Sequence, residues 1–376
     1  MQQGSSVAAP QEAQEEPGEE SAARRTGSIL PLTGVRGFAA IWVVLYHLRG
    51  GLESALPGWD AALAVVGRGY LGVDLFAFLS GFVISYTYGE RLGRFAPGAA
   101  ARYLWRRLAR IYPLHLFVLL LFVLALSYLN GESAVALAVG DDRFWLQLFL
   151  LNGWGLEDRF GWNAPSWTVS SEWFCYLVFP LLAPALGRVR RGETAVGLAL
   201  LVFAATLLVL SRVGRPDFDA FLDWGLVRIG GEFAVGCLLF RAHRDGYGRR
   251  APWGWIGLAA LAAGLTLCAI WPPAAVASFA VLVYALAQDP APLRAVFGRR
   301  TVVWLGEISY SIYMIHWFVL TVGMALLGEG AGEIEPRLLV GALFATVLAA
   351  AAATHLAVER PARSRLRRLV EQRSRG

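Results

Sequence analysis

Apolar stretches of near-bilayer length recur along most of the chain, close to residues 31–49, 70–88, 112–130, 166–187, 194–211, 222–240, 253–270, 273–288, 302–327 and 337–358. A helix needs ~20 mainly apolar residues to cross a bilayer, so the pattern predicts an all-α, polytopic membrane protein, a bundle of about ten transmembrane helices. Composition agrees: 56% of residues are hydrophobic and only 16% charged, which excludes an ordinary soluble domain. A further apolar patch, FWLQLFLLNGWGL at 144–156, is too short to span and is expected at the interface or as a re-entrant segment.

The charges between the stretches give an orientation, because loops that stay in the cytoplasm keep their arginines. Arg91, Arg94, Arg102, Arg106, Arg107 and Arg110 follow the second stretch, and GRVRRGE, RAHRDGYGRR and LRAVFGRR are also basic. The alternate loops carry acids, among them Glu53, Asp141, Asp142, Glu157, Asp158 and Asp217. This alternation closes with an even number of spans and both termini cytoplasmic, in a plasma or inner membrane. The net charge of +6 then reflects topology and anionic headgroups and gives no reason to invoke nucleic acid.

Every Lys/Arg position is an arginine, which removes lysine nucleophiles and Schiff bases from consideration. Cys175, Cys237 and Cys268 lack CxxC spacing, so neither a disulfide framework nor a metal site is expected. Residues 1–28, polar and Glu-rich, read as a disordered cytoplasmic arm, and 364–376 as a basic cytoplasmic tail at the membrane surface.

An ionisable group inside an apolar stretch is a functional candidate by default, since an unpartnered charge there costs ~2.5–3.5 kcal/mol or more. In GVRGFAAIWVVLYHLRGG (34–51), Arg36 and His47 are eleven residues apart. On an α-helix that is about three turns, ~20° in azimuth and ~16 Å along the axis. They share a face, with Arg36 toward the cytoplasm and His47 toward the outer half. GYLGVDLFAFLSGFVIS (69–85) adds Asp74 and Ser80, PSWTVSSEWFCYLVFP (165–180) adds Glu172, and LGEISYSIYMIHWFV (305–319) adds Glu307, Tyr310, Tyr313 and His316. So many polar groups cannot all face lipid; they require a hydrated cavity. A transporter for a small polar or anionic solute would carry similar groups. It commonly shows matched repeat halves, and the Arg36/His47 segment has no counterpart in the second half.

From Leu30 to Arg363 the order and spacing of these motifs resemble the acyltransferase-3 family, bacterial integral-membrane O-acyltransferases that acylate sugars of surface polysaccharides and of macrolide antibiotics. The resemblance is carried by the Arg-x10-His of Arg36 and His47, GVDLFAFLSGF, RRLARIYP at 106–113, PSWTVSSEWFCYLVFP, SYSIYMIH and the closing VERPAR. Cys175 stands where the family usually has an aromatic, and Ala77 where Phe is common. The resemblance implies a membrane acyltransferase domain over 29–363 with no bound cofactor. It would move an acyl group, expected to be acetyl, from acyl-CoA as co-substrate to a hydroxyl of a sugar-containing (glycan) or macrolide acceptor.

The residues supply matching parts. RRLAR sets Arg106 or Arg107 against Arg110 on one helical face, where guanidiniums can grip the phosphates of acyl-CoA bidentately. A neutral imidazole, with its usual pKa of about 6.5, makes His47 the candidate general base. Glu172 is the candidate to orient that imidazole or stabilise its charge. Arg36 reads as a donor-channel or structural partner. Tyr310, Tyr313 and backbone amides are all open as oxyanion donors, and His316 is a further substrate-facing candidate. His115 and His355 read as interface residues near span ends.

Overall fold

The computed structural model describes residues 29–373; the arm expected at 1–28 lies outside the described residues. Helix is the only regular structure among them. Ten helices of 15 residues or more fall on the ten apolar stretches: α1 (Leu30–His47), α2 (Gly72–Tyr88), α3 (Pro97–Asn130), α4 (Ser166–Arg188), α5 (Gly192–Arg212), α6 (Gly225–Asp245), α7 (Trp253–Leu267), α8 (Pro272–Ala287), α9 (Ser309–Leu327) and α10 (Pro336–Thr354). Among the described residues, seven helices are long and apolar enough to cross a membrane, or up to eight if α8 and Ala291–Phe297 form one span bent by 103°. The ten stretches exceed that number because α7 has only 15 residues and α6 carries Arg228 and Glu232 along its length.

Three boundaries differ from expectation in ways that position the site. α3 begins at Pro97, continues through Pro113 and runs for 34 residues, about 51 Å against a ~30 Å hydrocarbon core. Arg102 to Arg110 therefore ride on a spanning helix and not in a loop. The stretch expected at 302–327 breaks at Ile308, between the helix Arg300–Glu307 and α9. Glu307 is exposed and is not one of the interior polar groups. The tail forms a helix, Arg360–Arg373, that lies along α3, with Trp105 Nε1 donating to the Leu366 carbonyl at 3.0 Å.

α2 and α6 pack with their backbones nearly in contact. A Cβ at Gly81 would lie 2.0 Å from the Phe233 carbonyl oxygen, and one at Gly236 2.2 Å from that of Phe78. Only small residues allow this approach between membrane helices. It brings Asp74 of α2 against Arg228 of α6, both fully buried, with Nε–Oδ1 at 2.8 Å and Nη2–Oδ2 at 2.7 Å. Glu232 adds a second carboxylate 4.0 Å from the same guanidinium.

Between α3 and α4 the chain forms the short helix Asp142–Leu148 and then irregular backbone tucked against α4 and α9. Non-helical backbone at membrane depth persists only where protein groups satisfy it, and here they do. His115 Nε2 donates to the Gln147 carbonyl (2.7 Å), Asn163 Nδ2 to that of Met314 (3.2 Å), and Ser170 Oγ to that of Leu150 (2.6 Å). His115 is thus a buried strut inside the bundle, not an interface residue.

Candidate active site

α1, α2, α3, α4, α6 and α9 enclose a cavity of about 140 Å³. Arg36, Arg107, Arg110, Glu172, Tyr310 and Tyr313 all line it, although they lie on four different helices. Arg106 is not among the lining residues, so of the two arginines that could pair with Arg110 the inward one is Arg107.

Each guanidinium is held differently. Arg107 is buried, donates from Nη2 to Tyr88 OH at 3.0 Å and lies over the Tyr88 ring at 5.1 Å. Arg110 Nη1 stands 3.9 Å from Glu359 Oε1. Glu359 is itself fixed by Ser311 Oγ (2.7 Å) and His355 Nδ1 (3.0 Å), which makes His355 part of this anchor and not an interface group. Arg36 lies within electrostatic range of Arg110, Glu172 and Glu359. With Glu172 in the lining and Glu359 beside Arg110, three guanidiniums stand against two carboxylates, a positive balance that an anionic ligand would relieve.

Glu172 accepts hydrogen bonds from Ser80 Oγ and from Tyr176 OH (2.6 Å), both at Oε1. It does not meet His47, so the expected direct pairing of this carboxylate with that imidazole is not formed. The reason is axial: Glu172 lies at the level of Arg36, about three helical turns from His47. The two tyrosine hydroxyls are also engaged, Tyr310 donating to the Ile111 carbonyl (2.6 Å) and Tyr313 to that of Pro165 (2.9 Å).

The partner of His47 is another histidine. Its ring centroid lies 5.1 Å from that of His316 and 4.9 Å from that of Trp317. His316 is completely buried, with Nδ1 2.6 Å from the Tyr313 carbonyl. A carbonyl can only accept, so Nδ1 carries the proton and Nε2 keeps its lone pair, for which no hydrogen-bond partner exists among the described residues.

Tyr313 connects this pair to the arginine cavity, since it lines that cavity and its ring is 5.8 Å from that of His316. On the other side, Trp317 lines a second cavity of about 890 Å³ between the C-terminal part of α3, α9 and the segment 132–162. The order through the protein is therefore arginine cavity, Tyr313, His316 and His47, Trp317, second cavity.

For this bundle of helices around a buried cationic pocket and a histidine pair, comparison with known proteins gives the class. A family model described as an acyltransferase domain, that of the acyltransferase-3 family, matches residues 30–356. The chain belongs to this family of acyltransferases and is a multi-pass membrane protein. It is 28% identical over 369 residues to "Acyltransferase MdmB" of Streptomyces mycarofaciens, covering 88% of this chain and 90% of that one. It is 26% identical over 322 residues to "Putative acetyltransferase ORF330" of Acidianus two-tailed virus, covering 83% and 87%. A shorter match, 40% over 92 residues, covers 24% of this chain and 41% of "Protein 2 in picA locus" of Rhizobium radiobacter. No solved structure matches the chain.

Sequence reasoning missed Arg228 and Glu232, although opposite charges at i, i+4 inside an apolar stretch were a readable signal. It also quoted Glu359 only within VERPAR, without its role in holding Arg110.

Proposed function

We propose that this acyltransferase takes an acyl group, acetyl in the first instance, from acyl-CoA at its arginine-rich face and passes it to a hydroxyl of a glycan or macrolide acceptor arriving from the opposite face. The observation that carries the reading is the placement of the histidine pair between a cationic cavity and an open vestibule. Arg36, Arg107 and Arg110 provide fork-shaped donors for the donor's phosphates. At about 140 Å³ the cavity is smaller than the ~300–1,000 Å³ sites that enclose a whole drug-sized ligand. It takes the phosphates and the start of the acyl-bearing arm, while the adenosine stays at the mouth. By the distribution of arginines that mouth is cytoplasmic, with both termini on the same side and the protein in a plasma or inner membrane.

The chemistry then needs a base on the acceptor side. His47 takes the proton from the acceptor hydroxyl as its oxygen attacks the thioester carbonyl. A C–O bond forms, the C–S bond breaks, and the imidazolium returns the proton to the departing thiolate. Glu172, anchored by Ser80 and Tyr176 beside Arg36, sets the charge balance around the donor rather than orienting His47. The names of two relatives, an acyltransferase and a putative acetyltransferase, support the reaction class.

Membranes supplied with radiolabelled acetyl-CoA and candidate glycosides are expected to yield labelled glycoside; consumption of acetyl-CoA without any labelled product, or no consumption, contradicts the reading. Arg110→Ala is expected to raise the KM for acyl-CoA by ~10- to 100-fold, the equivalent of ~1.5–3 kcal/mol for a lost charge-assisted bond. The acceptor KM should move little, and an unaltered donor KM returns Arg110 to a topological anchor. Glu172→Gln keeps an acceptor oxygen for Ser80 and Tyr176 but loses the charge beside Arg36. Turnover should fall at least ~10-fold in protein that still reaches the membrane. Loss of the protein from the membrane would instead mark Glu172 as a structural hydrogen-bonder.

A further inference from the structure

The titratable lining of the outer vestibule is unbalanced. It has five carboxylates, Glu132, Asp141, Asp142, Glu157 and Asp158, and two guanidiniums, Arg143 and Arg159. One of those cations is already matched, because Asp141 holds Arg143 through Nε and Nη2, each at 2.8 Å. Glu157 differs from the other acids. It is 8% exposed, and neither carboxylate oxygen has a hydrogen-bond partner among the described residues. A buried carboxylate without a donor is normally completed by something. Phe160, Trp162 and Trp317 line the same cavity, and aromatic faces attract cations.

We propose that this vestibule binds the acceptor and selects hydroxyl compounds that carry an ammonium group, the cation meeting Glu157 and the aromatic wall while the hydroxyl reaches past Trp317 to His47. The assignment rests on the acyltransferase reading for the fate of the hydroxyl, but the cation site itself does not. Trp317 supplies the continuity, since it lines the vestibule and also touches the His47 ring. Burial raises the Glu157 carboxyl to about 7, with Asp141 and Asp158 adding to the rise and Arg143 opposing it. Glu132, Asp142 and Arg159 complete the charged groups facing this space. The ionised form attracts the ammonium, so the cation preference strengthens as pH rises through about 7 and fades below it.

The test uses the full chain in lipid nanodiscs and a matched pair of probes, methyl 3-deoxy-3-(dimethylamino)-β-D-glucoside and methyl β-D-glucoside. A tertiary amine cannot be N-acylated, so any acyl product is an ester. At pH 8 the amino glycoside is expected to bind ~10-fold or more tightly than the neutral one, as a charge-assisted contact implies. The preference should shrink at pH 6 in the unaltered protein, a comparison that needs no variant. It should drop to within ~2-fold in Glu157→Gln, with acetyl-CoA binding as the check that the variant is folded. Equal or undetectable binding of both probes to the unaltered protein, or a preference that survives Glu157→Gln, overturns the assignment. Acyl transfer separates the two claims: selective binding of the amine without ester formation contradicts the acyltransferase chemistry alone, and ester formation only on the neutral glycoside contradicts the cation site alone.

Discussion

His47→Ala is expected to bind acyl-CoA like the unaltered protein and to transfer acyl groups ~100- to 10,000-fold more slowly, the usual cost of losing a general base. Binding survives because Arg107 and Arg110 line the other cavity, and Arg36 is about three helical turns away. His316→Ala provides the necessary comparison. The two rings are in contact, and effects of groups that act as a unit are not additive. The double variant should therefore be scarcely slower than His47→Ala alone. Turnover kept in His47→Ala but lost in His316→Ala would move the base to His316, whose Nε2 is bare and whose Nδ1 is already oriented by the Tyr313 carbonyl.

The largest effect on stability is expected at Arg228. Arg228→Met leaves Asp74 buried without its two charged hydrogen bonds and Glu232 without the cation 4.0 Å away. Breaking one side of a buried pair typically costs ~3–5 kcal/mol. In a Glu232→Gln background, replacing both partners, Asp74→Leu with Arg228→Met, should restore more than half of that loss, because no buried charge is then left without its partner. Equilibrium unfolding in detergent, run as a double-variant cycle, measures the coupling. A single variant within ~1 kcal/mol of the unaltered protein would show that the contact is not holding these helices together.

What the sequence revealed follows from what a bilayer enforces. Long apolar stretches had to become helices, and Arg36, Arg107, Arg110, Glu172, Tyr310 and Tyr313 had to avoid lipid, so their convergence on one cavity was foreseeable. Pairing was not. Glu172 and His47 both read as site residues, yet the carboxylate meets Ser80 and Tyr176 while the imidazole meets His316 and Trp317. Position along the membrane normal decides such contacts, and it depends on how each helix is shifted against its neighbours. Asp74 was legible as an interior acid, but its partner lies 154 residues away on α6. The strut made by His115 depends on the fold of a segment with no regular period. The break at Ile308 follows Gly306 and Glu307 and precedes Ser309, a readable interruption that the apolar residues on either side outweighed.

Donor and acceptor are expected to approach the histidine pair from opposite sides. Proteoliposomes with one enriched orientation test it directly, with radiolabelled acetyl-CoA confined to one face and membrane-impermeant amino and neutral glycosides confined to one face in turn. Labelled ester should form only when acetyl-CoA is on the face bearing Arg107 and Arg110 and the glycosides are on the face bearing the segment 132–162. Ester formation with both substrates confined to the same face, or with acetyl-CoA accepted from the vestibule side, would contradict it.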